Sequence, residues 1–166
     1  MKKLLVSLAA VLAIAAFAYY YFSAPRVIDR RLDSLLDTMS FGAVTLKNLD
    51  QEAADFADHF AESVIFSGSG SEVISGEVSR AEMQELYHSQ FRVGAKSSQA
   101  KVIGETVIVM RGSDRAEMDT TVKLDLVLRD NMSYPQSIPA RLQWRKREGK
   151  WRIDEVRMLE PVDEGY

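Results

Sequence analysis

The sequence predicts an α+β protein: an N-terminal transmembrane helix, then amphipathic helices, then a curved antiparallel sheet. Three observations predict it. Residues 4–22 form an unbroken apolar or weakly polar run behind Lys2 and Lys3. Residues 26–91 carry three helical stripes of apolar residues. From residue 97 onward the pattern is strand, and it closes on residues 138–159, where two alternating runs flank Glu148-Gly149. A period of two on either side of a turn glycine is a β-hairpin signal. This hairpin is expected at the closing edge of the sheet.

Composition narrows the function classes. The chain has 166 residues, 46% hydrophobic and 27% charged, which suits one globular domain with a short appendage. Its formal net charge of -3 argues against a nucleic-acid partner, which selects for a basic face. No cysteine is present, so disulfides, thiolate metal sites and cysteine nucleophiles are excluded.

A helix over residues 4–22 would rise about 28 Å, close to the roughly 30 Å hydrocarbon core of a bilayer. The run ends in Tyr19, Tyr20, Tyr21 and Phe22, residues that favour the membrane–water interface, and Pro25 then breaks the helix. Residues 1–25 are therefore read as a single-pass anchor in a bacterial inner membrane, with the soluble domain in the periplasm or outside. The alternative is an exported chain cleaved near Ala18, after the small-x-small pattern Ala16-Phe17-Ala18.

The soluble domain spans residues 26–160, and residues 161–166 read as a loose tail. Residues 26–39 place Val27, Leu32, Leu35, Leu36 and Met39 on one helical stripe. Asn48 can cap a second helix to about Glu62, with Leu49, Ala53, Phe56 and Phe60 buried. Residues 64–66 and 73–78 are short strands around a Ser/Gly loop that lacks the Lys-Ser/Thr ending of a phosphate cradle. Ser79 with Glu82 fits a capping box opening a third helix, with Met83, Leu86, Tyr87 and Gln90 inward. Residues 98–103 and 106–111 flank Gly104-Glu105 as a two-residue hairpin turn. Residues 116–129 form the longest strand, expected at the sheet centre, with Met118, Thr120, Val122, Leu124, Leu126 and Leu128 on one face.

Few residues suggest chemistry. His59 has Asp55 at i−4, a spacing that allows a His–carboxylate acid/base pair on one helix face, or simply a surface pair. His88 faces outward beside Gln84. No spacing converges three or four metal ligands, and no cofactor motif is present. Phe60, Tyr87, Met118 and Trp144 sit on inward positions, where they either line a pocket for an apolar small molecule or fill the core. Arg141, Arg145, Arg147 and Arg152 form a basic face. It would meet anionic lipid or an acidic partner, or pair with acids of neighbouring strands.

The order helix, helix, strand, strand, helix and four long strands resembles the nuclear-transport-factor-2-like superfamily, which includes the SnoaL-like cyclases and ketosteroid isomerases. Residues 56–66 (FADHFAESVIF) look like its second helix running into its first strand. Residues 76–82 (GEVSRAE) look like the entry to its third helix, and residues 144–153 (WRKREGKWRI) like its closing hairpin. The resemblance implies a cone-shaped sheet wrapped round three helices, with a pocket at the open end. The fold hosts isomerases, dehydratases, cyclases and non-catalytic modules, including anchored components of secretion machines. An isomerase needs a carboxylate base and an oxyanion hole. Tyr87 could supply a phenol and Asp119 or Asp125 a carboxylate, but these aspartates alternate onto the polar face. The family's first-helix Tyr has no counterpart in residues 26–39, so no catalytic residue is carried over. The expectation is a non-catalytic, membrane-tethered binding or assembly module, a homodimer or envelope-protein partner through its sheet. The alternative is a small-molecule binder or isomerase/cyclase-like enzyme using the pocket.

Overall fold

The computed structural model describes residues 12, 19–42, 48–68 and 75–160. Most of the expected membrane run, the Ser/Gly loop tip and the tail lie outside them. Among the described residues no helix is long and apolar enough to cross a membrane.

Helix α1 (Ala24–Met39) has Pro25 in its first turn, where a fixed φ and a missing N–H cost nothing. It buries Ile28, Leu32, Leu35 and Leu36. Helix α2 (Leu49–Ala57) is shorter than its pattern suggests. Asn48 takes a left-handed φ of 72° and makes no side-chain cap. Strand β1 (Phe60–Gly68) starts where the helix was expected to continue, because the backbone there is captured by the sheet: Ile153 N–H donates to His59 O at 2.9 Å. Phe56 and Phe60 thus lie on different elements, yet their rings still meet at 5.2 Å.

Strand β2 (Gly76–Ser79) leads into helix α3 (Arg80–Glu85). The capping box is present: Glu82 N–H donates to Ser79 Oγ, and Ser79 N–H donates to the Glu82 carboxylate. The helix then widens into a π-helical turn over Leu86–Arg92. Strands β3 (Ala95–Met110), β4 (Arg115–Leu128), β5 (Ser133–Arg147) and β6 (Lys150–Met158) follow.

The sheet order is β2-β1-β6-β5-β4-β3. Four expectations are corrected by the sheet. The β5–β6 hairpin does form on Glu148 and Gly149, both at positive φ, but it occupies the sheet centre rather than the edge. The reason is that β1 adds in parallel to the free side of β6, a long-range pairing that no local pattern encodes. The sheet is therefore mixed rather than wholly antiparallel, and β4 lies one strand from an edge. Gly104-Glu105 is no hairpin turn: β3 runs straight through it along β4, with an irregularity between Ile103 and Val107 that absorbs the positive φ of Gly104. Gly68 is required where β1 meets β6, since a Cβ there would lie 1.9 Å from Met158 O.

One face of the sheet carries Ala116, Met118, Ala140, Leu142, Trp144 and Ile153 against α1, Phe56 and Met83. The other face is charged and paired across strands. Arg141 grips Asp119 with two hydrogen bonds of 2.7 and 2.8 Å, and Gln143 donates to Glu117.

Candidate functional site

Between the helices and the far ends of β3 and β4 lies an open cavity of about 310 Å³. Its wall is Met39 of α1, Phe56 of α2, Met83, Leu86, Tyr87, Gln90 and Phe91 of the third helix, and Ala95, Leu126 and Leu128 of the sheet. Four wall residues come from the one short stretch of the π-helical turn. Leu86 with Gln90 and Tyr87 with Phe91 stand at i,i+4 spacing and so share one face of this stretch. The Tyr87 ring stacks on Phe56 at 4.6 Å, and its hydroxyl donates to Thr38 O at 2.6 Å. Burial pushes the Tyr87 phenol up to about 12, so it stays protonated. A phenol already donating to a helix-end carbonyl is a structural tie rather than a free acid.

Of the four sequence-nominated lining residues, Tyr87 is in this wall. Phe60, Met118 and Trp144 lie deeper, at 5%, 0% and 1% exposure, in the continuous core. Leu86, Gln90, Leu126 and Leu128 were visible as inward positions of their elements. Met39 and Phe56 stood on the apolar stripes of their helices, whereas Phe91 and Ala95 were not marked as inward.

His59 and Asp55 do not form an acid/base pair. The His59 ring is buried, and Nδ1 donates to the backbone carbonyl of Asp55 at 2.9 Å, closing the end of α2. The Asp55 carboxylate is exposed and accepts from Gln51 instead. The helix stops before His59, so the i−4 geometry delivers a carbonyl, not a carboxylate. Burial first, and the Arg31 charge second, hold the His59 imidazole below its ordinary pKa, which keeps it neutral. His88 lies 3.5 Å from the exposed Asp50 carboxylate. Among the described residues no group of three or more His, Asp or Glu is placed to hold a metal.

A second cluster sits at the other end of the sheet, next to the β5–β6 turn. Asp58 follows α2 and is ringed by cations: Arg152 at 2.8 Å, Lys150 at 3.3 Å and Arg31 at 3.5 Å. Arg31 and Arg152 also donate to its carbonyl. Burial would raise the Asp58 carboxyl, but the hydrogen bonds from Arg152 and Lys150 outweigh it and hold the group at about 2. Beside this cluster is a polar cleft of about 190 Å³ lined by Ala61, Glu62, Arg80, Arg145, Arg147, Glu148 and Arg152. The sequence pointed to three of these arginines but not to Arg80 or Asp58, which other elements bring in.

No family model matches the sequence, and no curated protein matches it. Solved structures do. A nuclear transport factor 2-like superfamily protein from Salmonella enterica aligns with a TM-score of 0.60 at 18% identity, covering 84% of this chain and 94% of that one. The association domain of C. elegans CaMKII aligns with a TM-score of 0.59 at 16% identity, over 84% and 98%. A hexachlorocyclohexane dehydrochlorinase aligns with a TM-score of 0.57 at 13% identity, over 80% and 85%. At such identities the likeness establishes the fold alone: an α+β domain folded like the nuclear-transport-factor-2-like structures. Enzymes and association domains both use that fold, so activity has to be argued from the site.

Proposed function

We infer that this chain is a non-catalytic binding module whose mouth cavity takes an apolar small molecule. One observation carries the reading: an open cavity of about 310 Å³ whose wall is almost entirely carbon, with Tyr87 already tied to Thr38 and only Gln90 left to orient a ligand. Acid–base chemistry needs a titratable group beside the reacting atoms. The wall contains no carboxylate or imidazole. The test is native mass spectrometry of the full chain extracted gently from its membrane fraction. A reproducible adduct that disappears in Leu86→Trp, with circular dichroism unchanged, supports the reading. An apo mass in both proteins, with no uptake of an apolar fluorescent probe, sinks it.

Self-association is the second reading. Val107 and Val109 are 49% and 39% exposed on the edge strand β3, and one fold neighbour is an association domain. Light scattering of Val107→Lys would register loss of a dimer. Tethering through residues 1–25, with the domain outside a bacterial inner membrane, is proposed on the apolar run alone. Retention in the membrane pellet after an alkaline wash would support it, and release would point to the cleaved form.

A further inference from the structure

We propose that the arginine cleft at the hairpin end binds a phosphate-class oxyanion, supplied by an anionic lipid headgroup or by a free phosphate. Four of its seven lining residues are arginines, drawn from α3 (Arg80), β5 (Arg145, Arg147) and β6 (Arg152). Convergence of three elements on one cleft distinguishes it from a solvated charge run. Arg145 lies 2.8 Å from Asp154, close enough for an ion pair though not aligned for a hydrogen bond, and Arg152 is bound to Asp58. Arg80 and Arg147 have no ion-pair partner among the described residues. Arg80 Nε donates to Phe60 O at 3.1 Å, and its terminal N–H groups make no hydrogen bond among the described residues.

The charge balance points the same way. The cleft and the adjoining Asp58 cluster hold six cations: Arg80, Arg145, Arg147, Arg152, Lys150 and Arg31. Four carboxylates face them: Glu62, Glu148, Asp58 and Asp154. Two positive charges are left over, in a chain whose formal net charge is -3. A guanidinium presents its N–H groups in a planar fork that fits phosphate oxygens two at a time. A pocket of about 190 Å³ has room for one such group.

Its place in the fold favours a membrane source. Helix α1 runs from this end of the sheet to the mouth: Arg31 reaches Asp58 here, whereas Thr38 meets Tyr87 at the mouth. The N-terminus of α1, with the described residues 19–23 before it, therefore lies toward the arginine end. There Arg30 sits over the Tyr21 ring at 3.9 Å and Arg26 over Tyr20, with Tyr20 and Phe22 largely exposed. Amphipathic aromatics beside arginines suit the headgroup layer.

The experiment follows arginine Nε–H resonances of the full chain in an uncharged maltoside micelle. Inorganic phosphate, short-chain phosphatidylglycerol and short-chain phosphatidylcholine are added separately at constant ionic strength. Shifts of Arg80, Arg145, Arg147 and Arg152 with phosphate alone support the site with a free anion as ligand. Shifts with phosphatidylglycerol and not with phosphatidylcholine support it with a headgroup as ligand. Arg80→Gln/Arg147→Gln should weaken either by at least tenfold. Should that variant lose its dispersed amide spectrum, the exposed Arg147→Gln alone should weaken binding severalfold. Arg141→Gln, outside the cleft and paired with Asp119, should leave it unchanged. The proposal is overturned if none of the three additions moves these resonances beyond a chloride control, or if Arg141→Gln weakens binding as much as the cleft variants.

Discussion

At the mouth, Tyr87 satisfies its one polar group on the Thr38 carbonyl, and nearly all the rest of the wall is carbon. At the hairpin end, Asp58 is held by three cations and sits beside a cleft where Arg80 and Arg147 make no ion pair among the described residues. The strands that join these ends run about 40 Å along their length. A single sheet thus keeps an apolar opening and a charge cluster out of each other's dielectric surroundings. The difference teaches where each end is vulnerable. The mouth can lose a polar contact and remain packed. The hairpin end cannot lose its carboxylate without leaving half-buried cations opposed to one another.

The sharpest way to break this contrast is Asp58→Ala. Removing the shared partner of Arg31, Arg152 and Lys150 should destabilise by about 2 kcal/mol, below the range for fully buried pairs because Asp58 is about one-third exposed. Tyr87→Phe at the mouth should cost about 1 kcal/mol, the value of one hydrogen bond whose acceptor can find water. Urea titrations of both variants would measure the gap, and equal losses would erase the distinction.

Titration should separate the ends by direction. The Asp58 carboxyl is held at about 2, below its unfolded value, so its stabilisation is present above about pH 4 and is lost as pH falls towards 2. Buried neutral His59, lowered by burial, adds a loss that begins as pH drops below about 6.5. The Tyr87 phenol is raised to about 12, so its stabilisation is intact below about pH 10 and fades as pH climbs towards 12. Thermal melts across pH should show an acid edge that Asp58→Asn flattens and an alkaline edge that Tyr87→Phe flattens. Crossed effects would mean the ends are coupled. The smallest change is Asp55→Asn, expected to stay within about 0.5 kcal/mol in the same melts, because His59 uses the Asp55 carbonyl and not its carboxylate.

The elements themselves were legible wherever the signal is local. The Ser79–Glu82 capping box, the Glu148-Gly149 turn and the alternation of Met118 and Thr120 all lie within one element or one turn. Inward positions on the helices and on β4 could be read too, which is why most of the mouth wall was foreseeable. What failed was long-range. Asp55 and His59 looked like a pair because the apolar stripe seemed to carry the helix past Phe60, and only pairing with β6 ends it earlier. The Asp58 cluster joins residues 31, 58, 150 and 152, and no spacing rule links them. Strand order was invisible for the same reason: Gly104 reads as a turn until its strand is known to follow all of β4.

The parallel seam between β1 and β6 has a consequence in time. A chain emerging from the ribosome exposes Phe60, Val64 and Phe66 long before Ile153 and Val156 exist to cover them. Until then β1 has only the four-residue β2 as a neighbour, and two strands alone are marginal in water. Closure must await the final strand, a contact of high sequence separation and therefore slow to form. Until then the open edge of β1 and its apolar side chains are prone to aggregate. A stop codon before residue 150 would yield no smaller folded version, only an open edge.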